Sequence, residues 1–301
     1  MTDHSHGSAL RAGARYKRRL VWVFGLVVVF MVAEVVAGIL TNSLALLSDA
    51  GHMATDALGL GMALAAIVAA DRAGQDGQRT YGLYRLEILA ALANAVLLFA
   101  VAIYVLYEAV QRFQDPPEIL SGPMLVVAVL GLGVNLVGWR LLREGAAESI
   151  NVEGAYLEVI ADLVGSVGVI AAALIIRFTG WAYADALFGA AIGLFILPRA
   201  YRLGSRAVRI LVQAAPKGLD LAQLRVRLAG IEGVSDVHDL HVWTLTSDMD
   251  VASVHLITPT QADTHAVIDQ ATMLLRDEYR ISHATLQVEP EAHQGCVEAK
   301  W

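Results

Sequence analysis

Six apolar runs, each close to the length that crosses a bilayer, constrain this chain more than any other feature. A transmembrane helix needs about 20 mostly apolar residues. The chain is 56% hydrophobic with 17% charged residues, and its mean hydropathy of +0.56 is too high for a soluble globular protein of 301 residues. We therefore expect an α-helical membrane protein in a lipid bilayer, with spans at Leu20–Leu40, Leu44–Ala70, Leu86–Val110, Met124–Leu142, Tyr156–Phe178 and Tyr183–Tyr201.

Lys and Arg residues flank these spans unevenly. Fourteen lie in the N-terminal segment, in the connections after the second and fourth spans, and at the exit of the sixth, whereas two lie in the other connections. Because positive residues concentrate on the cytoplasmic side, we expect both termini in the cytoplasm. The single cysteine, Cys296, excludes an internal disulfide and fits a reducing compartment.

After Pro216 the composition changes to that of a soluble domain. The spacing of its apolar residues predicts the order helix, strand, strand, helix, strand, which suits a small α+β sandwich with one sheet. The predicted elements are Leu219–Leu228, Val234–Thr244, Val251–Thr258, Ala262–Tyr279 and His283–Val288. The chain should thus divide into a cytoplasmic segment at 1–19, a six-span domain at 20–213 and a cytoplasmic domain at 214–301.

Two of the spans carry pairs of ionisable residues, which are costly in hydrocarbon and are therefore functional candidates. His52 and Asp56 lie in the second span, and Glu158 and Asp162 lie in the fifth. Residues four apart share one face of a helix. If the two faces oppose each other, one imidazole and three carboxylates would suit a tetrahedral zinc site that also accepts cobalt, cadmium or manganese. The alternative is that these groups only make interhelical hydrogen bonds or snorkel.

The other polar residues at membrane depth stand singly along the chain. We expect four of them to make helix–helix contacts, namely Glu34, Asn94, Asn135 and Asp185. Asp49 lies near the outer end of the second span, where both proton entry and packing are open interpretations.

Ligand protonation suggests a transport chemistry. A histidine or carboxylate must lose its proton to bind metal, so metal and protons compete for one site. His52 alone among the four has a reference pKa, ~6.5, near cytoplasmic pH. A site open alternately to each side would load metal from the cytoplasm and release it as protons enter. The sequence has no GxxxxGK[ST] stretch and no basic stripe with aromatics, so we expect neither a nucleotide nor a nucleic acid as partner.

Two other functions use the same residues. An intramembrane metalloenzyme would need an open coordination position and a separate general acid or base, which four closing ligands do not leave. A metal sensor or scaffold could use the spans only as an anchor, but an anchor has no use for carboxylates at membrane depth.

Several segments resemble the cation diffusion facilitator family, in particular its bacterial branch that exports zinc, cobalt and cadmium. They are Asn42–Met53, Tyr81–Ala90, Asn151–Gly168, Val237–Leu245 and Thr285–Glu289. The resemblance implies a proton-coupled antiporter, not an enzyme, that exports divalent cations, zinc foremost, across the bacterial inner membrane. It also implies a homodimer with a ferredoxin-like cytoplasmic domain.

The resemblance also assigns metal sites. The family's transport site falls on His52, Asp56, Glu158 and Asp162. Many zinc-transporting members have His where this chain has Glu158, so this harder ligand set should loosen the preference for zinc over cobalt, manganese or cadmium.

A second, cytoplasmic site would bind zinc or another divalent transition metal as a regulatory ion. The resemblance places it on His238, His255, His265, His283 and Glu289. The alternative is that these are ordinary strand and loop residues. His241 is three residues from His238 on a predicted strand, so these two side chains should point to opposite faces. Two interpretations remain for the terminal residues: they could form loose arms that capture metal, or they could simply be disordered. The residues concerned are His4, His6, His293 and Cys296.

Overall fold

The computed structural model describes the backbone of residues 6–73, 81, 83, 85–144, 150–246 and 249–291, and their side chains except at 6–20, 60, 63–73 and 150–154. His4, His293 and Cys296 lie outside the described residues, as does the side chain of His6. The chain forms two compact units. Among the described residues, one unit comprises those up to Gly61 together with those of Ala93–Leu203, and the other comprises those of Met62–Leu92 together with those from Gly204 onward.

Long helices occupy the predicted membrane part of the described chain. They are α1 (His6–Thr41), α2 (Leu44–Ala73), α3 (Arg85–Gln114), α4 (Ser121–Leu142), α5 (Ile150–Thr179) and α6 (Tyr183–Leu211). Five segments are long and apolar enough to cross a membrane, namely Val21–Thr41, Arg85–Gln114, Ser121–Leu142, Ala155–Thr179 and Tyr183–Leu211. The predicted α-helical membrane fold is confirmed. The span at Leu44–Ala70 stays a prediction, because the side chains of 63–73 are outside the described residues.

Two helices extend well beyond their predicted spans. α1 begins at His6 rather than near Leu20, and α6 continues past Tyr201 to Leu211. Hydropathy marks only the part of a helix that lies in hydrocarbon, whereas Arg and Lys are good helix formers and allow the helix to continue outside it.

The first unit is held together by small residues at helix contacts. α4 packs against both α1 and α5, and their shared core contains the fully buried Ala128, Ala172 and Ala173. At Gly131 of α4, an added Cβ would lie 2.6 Å from the ring of Phe30, so only glycine allows this approach. Without a hydrophobic driving force between helices in lipid, close backbone packing of this kind is a main source of association.

The tail has the predicted order of elements. It contains α7 (Leu221–Ala229), β1 (Asp236–Thr246), β2 (Met249–Thr258), α8 (Thr264–Asp277) and β3 (His283–Pro290). The sheet order is β1-β2-β3, with β1 antiparallel and β3 parallel to the central β2. Side-chain oxygens of Asp220 and Asp263 accept backbone N–H bonds at the starts of α7 and α8, which satisfies donors that the first turn leaves free.

One face of this sheet packs on the two short helices. The core joins Leu224 and Leu228 of α7 and Leu275 of α8 to the alternate β2 residues Val254 and Leu256. Because side chains alternate along a strand, the intervening β2 positions, His255 among them, point to the opposite face.

A β-bulge at Asp239 changes the expected alternation in β1. His238 pairs with His255, and His241 pairs with Ser253, so three steps on β1 match two steps on β2. Asp239 takes a positive φ of 48°. Because a bulge inserts one extra residue, His238 and His241 fall on the same face, which overturns the expectation that they point to opposite faces.

Asp185 ties three helices of the first unit together. Its carboxylate accepts hydrogen bonds from the Ser43 hydroxyl (2.6 Å) and from the backbone N–H groups of Leu44 (2.6 Å) and Ala45 (3.1 Å), so a residue of α6 caps the start of α2. Arg112 of α3 lies 3.3 Å from the same carboxylate. Asp185 thus makes the predicted helix–helix contact, as does Asn135 of α4, whose side-chain N–H donates to Ser166 of α5.

We expect Asp185→Ala to destabilise the protein by about 3 kcal/mol, because it leaves three donors and the Arg112 guanidinium without their buried acceptor. Thermal unfolding of the purified protein in detergent measures this. Asp277→Ala is the matched control, since its carboxylate is exposed and its hydrogen bonds within the described part of the chain go to the neighbouring Arg276. Equal unfolding temperatures for the two variants would contradict the capping role.

Candidate metal sites

The polar faces of α2 and α5 meet through one guanidinium. Arg199 of α6 places Nη2 3.0 Å from Asp56 Oδ1 and 3.1 Å from Glu158 Oε1. Its Nη1 lies 3.4 Å from His52 Nε2, and His52 Nε2 is 3.7 Å from Asp56 Oδ2. The structure therefore brings residues of both predicted pairs into one cluster.

Asp162 belongs to the same electrostatic environment. It is buried and interacts electrostatically with Asp56, Glu158 and the Arg199 guanidinium. Its Oδ1 has no hydrogen-bond partner among the described residues. Three carboxylates in one low-dielectric region repel one another strongly, so this arrangement of predicted ligands is suited to binding a cation.

The cluster is buried on one side and open on the other. His52 is 4% exposed, whereas the side chains of Glu158 and Arg199 are 50% and 35% exposed. The part of the cluster formed by Glu158 and Arg199 is therefore less enclosed than the part formed by His52.

Arg199 was not recognised from the sequence as part of this site. In the sequence it lies with other arginines at the end of the sixth predicted span, and it is one of the fourteen basic residues that predict which side of the membrane is cytoplasmic. Without Arg199, thirteen Lys and Arg residues still flank the predicted cytoplasmic side against two on the other side, so the predicted orientation of the termini does not change. A signal that could have indicated Arg199 is its helical position, because it lies three residues after the buried Ile196 and therefore on the same face of α6.

Glu34 is not the isolated residue that the sequence suggested. It is fully buried in α1, its two oxygens have no hydrogen-bond partner among the described residues, and it interacts electrostatically with Asp49 and Asp162. Asp49 itself reaches across to α5, where an added Cβ at Gly165 would lie 2.4 Å from its Oδ1. The acidic character of the site therefore extends from α2 and α5 to α1.

The tail contains a second cluster. His238, Asp239 and His255 offer ligand atoms that all lie within 4.8 Å of one another. Glu289 is 3.6 Å from His238 Nε2 and 2.9 Å from His255 Nδ1. Two imidazoles with carboxylates are a donor set that zinc accepts.

Two of the five predicted tail residues lie elsewhere. His265 is in the first turn of α8, and His283 begins β3, where it pairs with Val251, four residues along β2 from His255. The ring of His283 instead packs edge-on against that of Tyr81, with 6.2 Å between the ring centroids. Asp239 also lies in the cluster, and a prediction based on a regular strand does not include it. The odd spacing of the core residues Val237 and Val242 is the signal that would have revealed the bulge.

Comparisons with known proteins cover nearly the whole chain. A family model described as the cation efflux transmembrane domain matches residues 20–212, and one described as the cation efflux protein cytoplasmic domain matches residues 216–291.

Similar proteins include the metal cation efflux system protein CzcD of Cupriavidus metallidurans, 49% identical over 86% of this chain and 82% of that protein. The zinc transporter ZitB of Escherichia coli is 41% identical over 98% of this chain and 93% of its own length. The cadmium, cobalt and zinc/H(+)-K(+) antiporter of Bacillus subtilis is 37% identical over 92% of this chain and 90% of its own length.

A solved structure of the metal-bound C-terminal domain of the CzcD transporter matches 24% of this chain and 99% of that chain at 33% identity, with a TM-score of 0.23. The transmembrane family model alone spans well over half of the sequence. The protein therefore belongs to the cation diffusion facilitator family of cation efflux proteins.

Proposed function

We propose that this protein is a proton-coupled antiporter that exports divalent metal cations from the cytoplasm, zinc foremost and cobalt and cadmium in addition. It would act as a homodimer in the bacterial inner membrane, with both termini in the cytoplasm and no enzymatic activity. The observation that carries this proposal is the cluster of His52, Asp56 and Glu158 around one guanidinium, with Asp162 buried beside it.

The ligand chemistry supports a divalent cation as substrate. One imidazole nitrogen and three carboxylates complete a tetrahedron, which zinc prefers. Carboxylate in place of a second imidazole makes the site harder, so cobalt, cadmium and manganese should compete better than at a two-histidine site. The relatives named for zinc, cobalt and cadmium transport agree with this substrate class.

Competition between metal and protons supports antiport. Each ligand must be deprotonated to bind metal, so protons arriving from outside would displace the ion. The relative from Bacillus subtilis is named as a cadmium, cobalt and zinc/H(+)-K(+) antiporter, and the H(+) in that name agrees with protons as a counter-ion.

A hydrolytic enzyme is the weaker candidate. Catalytic zinc sites keep one coordination position for water or substrate, whereas this set supplies four protein ligands. The family's transmembrane domain is also named for cation efflux. We therefore assign binding and release of the metal, rather than chemistry on it, to this site.

The tail would supply dimerisation and metal sensing. The family model that it matches is named for a dimer, and its cluster combines His238, Asp239, His255 and Glu289 on the sheet face opposite the helices. Zinc bound there would favour whichever arrangement of the two tails binds it more tightly.

Asp162→Ala should reduce zinc flux to background. The substitution removes a buried ligand from the four and leaves an incomplete coordination sphere for the ion. Zinc accumulation in proteoliposomes, with a lumenal zinc-sensitive dye, measures the flux.

Asp115→Ala is the control, because this exposed residue lies beyond the end of α3. Both variants should insert and purify as the parent does. Near-normal flux through Asp162→Ala would remove Asp162 from the transport site.

Zinc binding by the tail cluster can be tested separately from transport. In a fragment of residues 216–291, which has its own hydrophobic core, saturating zinc should raise the unfolding temperature by about 10 °C, since a ligand that binds only the folded state stabilises it by mass action. Asp239→Ala and His255→Ala should each remove most of this gain.

His265→Ala is the matched control and should leave the gain unchanged, because His265 lies outside the cluster. Differential scanning calorimetry decides between the two ligand sets. A fragment that zinc does not stabilise, or one that depends on His265 and not on Asp239, would contradict the assignment.

A further inference from the structure

All hydrogen bonds and ion pairs of Arg199 in the described chain go to predicted metal ligands. Nη2 contacts Asp56 and Glu158, and Nη1 contacts His52. The next arginine along α6, Arg202, instead donates from Nε to the carbonyl of Pro198 in its own helix. Arg199 is thus distinguished from its neighbour by a side chain directed at the ligand set.

The guanidinium uses the atoms that a metal would use. His52 Nε2, Asp56 Oδ1 and Glu158 Oε1 face its nitrogens at 3.0 to 3.4 Å. A zinc ion bonded to the same atoms would lie about 2.0 to 2.2 Å from each. Two cations so close in a low-dielectric region repel each other strongly, so guanidinium and metal cannot share these ligands.

We propose that Arg199 is a tethered cation that occupies the transport site when metal is absent and must be displaced for metal to bind. This inference rests on the proposed transport function and adds to it a residue that sets the affinity of the site.

Charge balance explains what such a residue contributes. After the metal leaves, three carboxylates would face one another in the membrane, which is unfavourable. Arg199 pairs with two of them, so the emptied site is stabilised without a proton on every ligand. Displacement of the guanidinium opposes metal binding and therefore favours release.

The competing explanation is that Arg199 holds the carboxylates in the positions that metal needs. The two roles predict opposite changes in affinity. Removal of a competitor tightens metal binding, whereas removal of a positioning residue weakens it.

Zinc binding to the full-length protein in detergent, measured by isothermal titration calorimetry, separates these roles. Every protein carries His255→Ala, which disables the tail cluster. Arg199→Gln should bind zinc about tenfold more tightly than its parent. Its unfolding temperature in the presence of a chelator should be lower, because the carboxylates then lack their counter-ion.

Three further variants complete the experiment. Arg199→Met is a second neutral replacement, suited to a membrane helix, should the Gln variant fail to fold. Arg199→Lys retains the charge and should keep the affinity closer to that of the parent than either neutral variant does. Arg202→Gln is the matched control and should change neither zinc affinity nor stability in chelator.

Equal or weaker zinc binding by the neutral variants, with Asp162→Ala abolishing binding, would overturn this inference and leave the proposed function intact. A parent that binds no zinc, or an Asp162→Ala variant that binds it as well as the parent, would overturn both.

Discussion

The structure depends on how a membrane domain accommodates several carboxylates in a region of low dielectric. Each one would be prohibitively unfavourable there alone. The protein compensates the charge of these carboxylates in two ways. Asp185 is fully satisfied by the N-terminus of α2 and by Arg112, and so acts structurally. The carboxylates near His52 share one tethered guanidinium, and Asp162 retains an oxygen without a hydrogen-bond partner among the described residues. Incomplete compensation of this kind is what a site for a mobile cation requires.

In the tail, a β-bulge brings the residues of the candidate site together. A regular β1 strand would turn Asp239 away from the face that carries His238, whereas the bulge adds one residue and brings both into reach of His255. Bulges commonly redirect side chains next to functional sites. Glu289 on β3 completes the cluster from the other side of the central strand, so all three strands contribute to one site.

Much of the fold could be predicted from the sequence, because hydropathy and alternation report directly on burial. The five helical segments that are long and apolar enough to cross a membrane and the order of the tail elements follow from these patterns. It was also predictable that His52 and Asp56 share one face of α2 and that Glu158 and Asp162 share one face of α5, since residues four apart lie on the same side of a helix. Arg199, Glu34 and Asp239 were not predictable in this way. Their roles depend on which helices are neighbours and on a local irregularity in β1, and neither is encoded in residue spacing along one element.

The central claim is that an inward proton gradient drives metal out of the cytoplasm. It is tested most directly by zinc uptake into proteoliposomes whose lumen is more acidic than the medium, where molecules with their cytoplasmic side outward carry zinc in as protons leave. We expect uptake to rise with the imposed pH difference and to fall when an ionophore collapses that difference at a fixed zinc gradient. Zinc uptake that is the same with and without the pH gradient would contradict antiport.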